Sequence, residues 1–230
     1  MKKIGVIGGL SWVSTAEYYR LLNKMTQEKL GGVNSARLSI ESVNRQKYVR
    51  HVIDEKDEVA AAEIILDAAR CLERAGADFI VISCNDVHRF VPKIEPVVSI
   101  PILHIAEATA EAIRKAEIDT VGLVGVRKTM EEGFYSEVLR CHGISTLIPN
   151  DDERTHIHDS IYNELVKEVF LDATRRKYVE IFDGLQSRGA GGIVLGCTEI
   201  PLLIGDRDVK AKTFSTTEIH CAAAVEMALT

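Results

Sequence analysis

Apolar runs and amphipathic stripes alternate along the whole chain. Short runs rich in β-branched residues predict strands at 2–9, 36–43, 78–83, 120–126 and 191–196. Apolar residues at helical spacing predict helices at 14–30, 57–75, 105–116, 129–142 and 218–229, with one or two more within 155–189 and a turn or short helix at 201–205. Ser14 and Glu17 form the capping-box pattern of the first helix. This βαβα order predicts an α/β fold with parallel sheets.

The second half of the chain repeats a pattern from the first. The segment AGADFIVISCNDVHRF (75–90) aligns with RGAGGIVLGCTEIP (188–201), which matches Cys84 with Cys197. The repeat predicts two similar Rossmann-like parallel-sheet lobes, related by internal pseudo-twofold duplication, with the active site in the cleft between them. We place the first lobe, which carries Cys84, at 1–100 plus 208–230, and the second lobe, which carries Cys197, at 101–207.

Composition narrows the classes of function. The chain has 230 residues, 46% hydrophobic and 27% charged, which is typical of a globular protein with a substantial core. The net charge is −6 and no Lys/Arg cluster is present, so we expect no nucleic-acid partner. No apolar run is long enough to span a bilayer, and the apolar run at the N-terminus is too short for a signal peptide. Five cysteines without a framework spacing predict free thiols in the cytoplasm.

The two matched cysteines are the strongest candidates for chemistry. Ligands of parallel α/β sheets bind at the carboxyl ends of strands, where Cys84 and Cys197 are predicted to lie. Asn85 and Thr198 follow them and are residue types that begin helices, and a helix N-terminus favours a thiolate. Stereoinversion at carbon requires a base on one face and an acid on the other, and two thiols supply both. A lone cysteine would more often be a packing residue, which is our interpretation of Cys71, Cys141 and Cys221.

Four segments resemble the aspartate/glutamate racemase family of cofactor-independent amino-acid racemases. They are GGLSWVSTAEYYRLLN (8–23), LGGVNSA (30–36), CNDVH (84–88) and GCTEI (196–200), and the likeness covers essentially the whole chain. The resemblance implies that Cys84 and Cys197 are the acid/base pair, with no pyridoxal phosphate, no metal and usually a homodimer. It also implies that the substrate is held by Leu10, Ser11, Asn85, Asp86, Thr198 and Glu199.

One residue departs from the family pattern. The family usually has Cys-Asn-Thr, whereas this chain has Cys84-Asn85-Asp86. An ionised Asp86 would repel a substrate carboxylate unless a cation or a proton intervenes. We therefore expect Asp86 to change substrate choice, to weaken activity on ordinary aspartate and glutamate, or to face the substrate ammonium. A side-chain carboxylate of the substrate would need a cation, for which the candidates are Arg45, Lys47, Arg50, His51 and Lys167.

Other patterns carry less weight. The glycines of GVIGG (5–9) lack the full dinucleotide-binding spacing and are expected to let the backbone approach a small ligand. Cys84 and His88 have no second pair with zinc spacing, so His88 is expected to anchor the turn or the other lobe. His104 could line the cleft or be a buried structural residue. The acidic run 151–153 is expected to be a solvated loop.

The sequence thus favours a cytoplasmic amino-acid racemase, an isomerase without cofactor, that acts on aspartate, glutamate or a related amino acid. Two alternatives remain at this stage. One is a related isomerase or decarboxylase of small dicarboxylates. The other is a ligand-binding homologue in which Asp86 marks lost catalysis.

Overall fold

A computed structural model describes residues 1–205 and 207–230. The chain forms two compact units, Met1–Ile105 with His220–Thr230, and Ala106–Ile219. These limits differ from the predicted lobes mainly near the C-terminus. Residues 208–219 belong to the second unit rather than the first, because the strand at Lys212–Ser215 pairs with Gly192–Leu195 of the second sheet.

The first unit contains a parallel three-stranded sheet in the order β2-β1-β3. Its strands are β1 (Ile4–Gly8), β2 (Leu38–Ser42) and β3 (Phe79–Ile82). An isolated parallel bridge between Ile80 and Ile102 extends the sheet beyond β3. The α-helices are α1 (Trp12–Leu30), α2 (Arg45–Val49), α3 (Glu58–Arg74) and α4 (Val91–Ile94). A π-helical turn at Arg50–Asp54 continues α2, and 3₁₀ turns occupy Asp86–Phe90 and Glu95–Val97.

The second unit contains a parallel four-stranded sheet in the order β5-β4-β6-β7. Its strands are β4 (Thr120–Val124), β5 (Ser145–Leu147), β6 (Gly192–Leu195) and β7 (Lys212–Ser215). The helices are α5 (Ile105–Lys115), α6 (Arg127–Glu131), α7 (Phe134–Cys141), α8 (Asp151–Asn163), α9 (Asp172–Ser187), α10 (Ile200–Leu203) and α11 (Thr216–Leu229), with a 3₁₀ turn at Leu165–Lys167. From His220 onward, α11 belongs to the first unit.

The two sheets share one strand order, which confirms the predicted duplication of an α/β fold. β1, β2 and β3 correspond to β4, β5 and β6, and the Ile80–Ile102 bridge lies where β7 lies in the second sheet. In the first unit, Ile7, Ile80 and Ile82 pack against α3, whereas Val6 and Val81 pack against α1 and α11. Both faces of the sheet are therefore covered, as the continuous apolar runs predict. Each fully buried side chain of this type contributes about 1.5–3 kcal/mol.

Several predicted boundaries were wrong for local reasons. Helix α1 begins at Trp12 after the cap Ser11, so Ser14 lies inside it. The predicted helix at 129–142 is two helices, because Gly133 between them has φ +77°. The acidic run 151–153 is the first turn of α8, which Asn150 and Glu153 close as a capping box. Carboxylates at a helix N-terminus are also favoured by the helix dipole.

The sequence did not predict β5, β7 or the helical residues 45–54. β5 has only three residues and β7 only four, and both lie at an end of the sheet order. Across 1–205 and 207–230, no helix combines the length and the apolar character needed to cross a bilayer.

Candidate active site

Both candidate thiols follow the carboxyl ends of corresponding strands, β3 in the first sheet and β6 in the second. Cys84 comes two residues after β3 ends at Ile82, and Cys197 comes two residues after β6 ends at Leu195. Both cysteines are partly buried and reduced. This is the position that parallel sheets use for ligands, so the expected placement of each thiol in its own unit is confirmed.

The turns after the thiols differ from the expected helix caps. The Asn85 backbone is already helical, with φ −61° and ψ −50°, and a five-residue 3₁₀ turn follows it. The residue before α10 is Glu199 rather than Thr198, and its backbone is helical too. An N-cap has an extended backbone, so neither predicted cap is correct. Because these turns have four or five residues, a helix dipole contributes little at either thiol.

In the second unit, the Cys197 thiol is hydrogen-bonded to a buried carboxylate. The Cys197 thiol lies 3.0 Å from Glu199 Oε2, and the Thr198 hydroxyl donates to the same oxygen at 2.9 Å. Glu199 is only 2% exposed. Two negative charges at this separation would repel, so the geometry is that of a protonated thiol donating to a carboxylate. Glu199, predicted to bind substrate, thus lies against the thiol itself.

Tyr178 is a further group in the surroundings of Cys197. Burial raises the pKa of the Tyr178 hydroxyl well above its ordinary value, and the hydrogen bond with Ser160 offsets this only in part. The hydroxyl is therefore neutral at physiological pH. It is hydrogen-bonded to Ser160 at 3.0 Å, which fixes its orientation inside the core of the second unit.

In the first unit, the carboxylate after the thiol is bound by a guanidinium. Asp86 Oδ2 lies 2.6 Å from Arg89 Nη1, and the same nitrogen donates to the Asp86 carbonyl at 2.9 Å. The two side chains are only 11% and 8% exposed, respectively. Arg89 Nη2 also donates to Glu58 and to the Tyr48 hydroxyl, each at 3.0 Å. Tyr48 in turn donates to Asp86 Oδ2 over a longer distance of 3.4 Å.

The charges of this cluster determine its protonation. Burial alone lowers the pKa of Arg89, but the charges of Asp86 and Glu58 and the hydrogen bond to Tyr48 outweigh burial, so the pKa lies above its ordinary value. Burial raises the pKa of Tyr48, and Asp86 raises it further. Cys84 also raises the Tyr48 pKa, so the thiol lies within electrostatic range of the cluster. Arg89 is thus permanently cationic and Tyr48 is neutral.

Arg89, Tyr48 and Glu58 were not among the site residues predicted from the sequence. The i, i+3 spacing of Asp86 and Arg89 was a usable signal, because residues at that spacing meet on a helical turn. Tyr48 and Glu58 come from α2 and α3, distant in sequence, and no local pattern connects them with Asp86.

The loop at Leu10 and Ser11 lies at the carboxyl end of β1. Leu10 packs its side chain into the core, and Ser11 caps α1. Gly9 has φ +82°, and a Cβ there would lie 2.1 Å from the Val43 carbonyl oxygen. Glycine is needed at position 9 because the backbone there approaches the chain after β2 closely. We had expected the glycines of this loop to let the backbone approach a ligand instead.

Four of the five candidate cations lie on α2 and the π-helical turn that continues it. Lys47 and His51 line a 660 Å³ cavity that also contains Glu41, Glu63 and Asp67. Glu55 pairs with Arg50 at 2.9 Å and with His51 at 2.6 Å. Lys167 is exposed in the 3₁₀ turn of the second unit, and Arg45 begins α2.

Three histidines cluster inside the first unit. His88 donates from Nδ1 to the Cys84 carbonyl at 2.9 Å, which anchors the turn as expected. Its ring lies 4.8 Å from that of His104 and 5.6 Å from that of His220. Burial lowers the pKa of His88 well below its ordinary value and lowers that of His220 to about 4. The described residues contain no group of three His, Cys, Asp or Glu side chains that could hold a metal.

The fold and the two thiol turns define a duplicated α/β protein with cysteine and carboxylate side chains at the carboxyl ends of its strands. The model of the Asp/Glu/hydantoin racemase family matches residues 7–224, so the chain belongs to that family. Racemases are isomerases, and the protein is an enzyme of that class.

Individual relatives agree with this assignment. The broad-specificity amino-acid racemase RacX of Bacillus subtilis is 26% identical over 86% of this chain and 85% of its own. A crystal structure of a candidate Asp/Glu racemase of Yersinia pestis is 39% identical, with a TM-score of 0.92 and full coverage of both chains. An aspartate racemase homologue of Pyrococcus horikoshii is 32% identical, with a TM-score of 0.86 over both full chains.

Proposed function

We propose that the protein racemises aspartate, glutamate or a related amino acid without a cofactor, and that Cys84 and Cys197 exchange the α-proton. The observation that carries this proposal is the matched placement of the two thiols, each two residues beyond the end of the corresponding strand of a duplicated sheet. The name of the relative RacX supports testing substrates beyond the two acidic amino acids. A cytoplasmic homodimer is part of the same proposal.

The proposed chemistry is a balanced exchange of two protons. A thiolate removes the α-proton from one face of the substrate, and the C–H electron pair passes into the carboxylate as an enolate. The opposite thiol donates its proton to the other face and becomes the thiolate. Proton exchange with water, or turnover of the opposite enantiomer, restores the starting state of the two sulfurs. No oxidation state changes, so no external oxidant or reductant is required.

The turn residues are proposed to hold the substrate. Backbone N–H groups at Leu10, Ser11, Asn85 and Asp86 in the first unit, and at Thr198 in the second, are candidates to bind its carboxylate. Donors placed where enolate charge develops lower the barrier more than they strengthen ground-state binding. We assign Glu199 to the Cys197 thiol instead, on the strength of their 3.0 Å contact.

Asp86 stands where the family usually has threonine, and its charge would repel a substrate carboxylate unless a cation offset it. Arg89 is that cation. The ion pair at 2.6 Å compensates the Asp86 charge, so a substrate carboxylate near this turn does not meet an isolated anion. Asp86 is therefore compatible with an anionic substrate in this proposal, and it is expected to influence which amino acid is preferred.

The test is α-proton exchange in D₂O with no added cofactor. A panel of L- and D-amino acids, beginning with aspartate and glutamate, is incubated with wild-type protein, Cys84→Ala and Cys197→Ala. Deuterium uptake and enantiomer ratio are followed together. Exchange with inversion that is lost in both variants is the expected result, and activity that survives either substitution would contradict the two-thiol mechanism.

A further inference from the structure

Each thiol is followed two residues later by a carboxylate, but the two carboxylates have different partners. Asp86 follows Cys84, and Glu199 follows Cys197 at the matching position of the duplicated turn. Glu199 accepts a hydrogen bond from its thiol at 3.0 Å. Asp86 instead forms a 2.6 Å ion pair with Arg89.

The Glu199 contact favours a protonated Cys197. A buried carboxylate at hydrogen-bond distance accepts the thiol proton and opposes a second negative charge on sulfur. Tyr178 interacts electrostatically with this thiol, and it is neutral because burial raises its pKa. Glu164 also raises the pKa of Tyr178 and adds further negative charge.

The Asp86–Arg89 pair removes the equivalent effect at Cys84. Arg89 binds both the side chain and the carbonyl of Asp86 and is held in place by Glu58 and Tyr48. Glu58 is 40% exposed, so solvent screens its charge. His88 bonds the Cys84 carbonyl and is neutral, because burial lowers its pKa. The Asp86 charge that follows Cys84 is therefore largely compensated by Arg89.

The position in the second turn that corresponds to Arg89 does not carry a cationic residue. The residue that matches Arg89 in the duplicated segment is Leu202. Arg175 reaches this turn from α9, but it donates to the Leu203 carbonyl and pairs with Asp172.

We propose that the Asp86–Arg89 ion pair makes the two thiols inequivalent, so that the resting enzyme carries its thiolate at Cys84 and its thiol at Cys197. Arg89 is a positioning residue, since it acts through Asp86. The inference rests on the proposed function for its catalytic meaning: the resting enzyme then takes the α-proton with Cys84 and delivers a proton from Cys197.

The test is the pH dependence of iodoacetamide alkylation of the full chain, measured by mass spectrometry on each cysteine peptide. The midpoint of each profile is compared, because the midpoint is independent of the maximal rate that accessibility sets. We expect the Cys84 midpoint to lie at least about one pH unit below that of Cys197, which is the size of shift a single neighbouring charge produces. A Cys197 midpoint equal to or below that of Cys84 would overturn the proposal.

Substitutions separate the ion pair from a general structural effect. Arg89→Gln is expected to raise the Cys84 midpoint by about one pH unit and to leave that of Cys197 in place. Arg89→Lys keeps the charge, so the Cys84 midpoint should stay close to its wild-type value. Asp86→Asn combined with Arg89→Gln removes both charges and should return the Cys84 midpoint to near that value. Glu199→Gln is expected to lower the Cys197 midpoint. Arg70→Gln, on the exposed face of α3, is the control and should change neither.

If Arg89→Gln does not fold, Asp86→Asn takes its place, because the uncompensated Arg89 charge should lower the Cys84 midpoint and an unchanged midpoint would refute the role of the ion pair. An unchanged Cys84 midpoint in folded Arg89→Gln would refute the role of the ion pair. The labelling does not depend on turnover. Unequal midpoints without α-proton exchange would therefore contradict the racemase proposal alone, whereas exchange with equal midpoints would contradict the inequivalence alone.

Discussion

Asp86 Oδ2 lies 2.6 Å from Arg89 Nη1. Asp86 follows Cys84 by two residues, and Arg89 lies one helical turn beyond Asp86. The pair turns the residue that departs from the family's Cys-Asn-Thr pattern into a charge-compensated group. A substitution that looks like the loss of a hydroxyl donor is, in the structure, one half of a buried ion pair that extends to Tyr48 and Glu58.

Replacing Asp86 by the usual threonine tests this relationship in two ways. Asp86→Thr is expected to raise kcat/KM for aspartate or glutamate, because it removes an anion from the turn proposed to bind the substrate carboxylate and introduces a hydroxyl donor. It is also expected to destabilise the protein by about 1–3 kcal/mol, less than the loss of an isolated buried pair because Glu58 still contacts Arg89. Urea unfolding and steady-state kinetics measure the two effects. An unchanged rate and specificity would show that Asp86 has no influence on the substrate.

Glu199→Gln distinguishes two roles for that carboxylate. If Glu199 serves the Cys197 thiol, the variant should lose at least about tenfold in kcat with little change in KM, since proton transfer by a positioned group contributes 10²–10⁴-fold. If it binds the substrate instead, KM should rise while kcat is maintained. The two kinetic constants, measured for both enantiomers, decide between a thiol partner and a substrate ligand.

The stability of the first unit should fall as the pH falls from about 6.5 to 4. His220 has a folded-state pKa of about 4, so between these values the unfolded state binds a proton that the folded state does not. The loss amounts to about 3 kcal/mol at the lower limit. His88 adds to it in the same direction, and His104 and Tyr18 are the neighbouring groups.

Denaturant unfolding at a series of pH values checks this expectation. His220→Gln should show a shallower decline than wild type, because the titrating group is absent. Parallel pH profiles for the two proteins would exclude His220 as a source of the acid sensitivity.

Gly9→Ala should destabilise the protein by more than about 2 kcal/mol. The added Cβ would lie 2.1 Å from the Val43 carbonyl oxygen, and the backbone has φ +82°. Gly184→Ala is the matched control, because Gly184 lies within α9 and a Cβ there meets no atom within 4 Å. The control should be stabilised by about 0.5–1 kcal/mol. Urea unfolding of both variants gives the comparison, and a neutral Gly9→Ala would contradict the close approach.

Structural features that depend on residues close in sequence were predicted well. The alternation of strands and helices and the repeat around Cys84 and Cys197 gave the duplicated α/β fold, because buried parallel strands require continuous apolar runs. The placement of both thiols followed from the same runs. The exact helix starts did not follow, because Ser11 and Ser14 are both residue types that cap helices.

Contacts between residues distant in sequence were not predictable. Nothing in the pattern around Tyr48 or Glu58 indicates that their side chains meet Arg89, because tertiary packing rather than local spacing brings them together. The role of Gly9 was missed for a similar reason. Its neighbour Val43 lies more than thirty residues away in sequence.

The division of the chain has a consequence for the order in which it folds during synthesis. The second unit is continuous in sequence, so all of its residues have been made once Ile219 is added. The first unit is discontinuous in sequence and includes the end of α11. Cys221, Ala224 and Val225 of α11 cover the sheet face formed by Ile4, Val6 and Phe79. A nascent chain that stops before His220 leaves exposed the part of that apolar face that α11 covers. On the ribosome, therefore, the unit that is synthesised first is the one that is completed last.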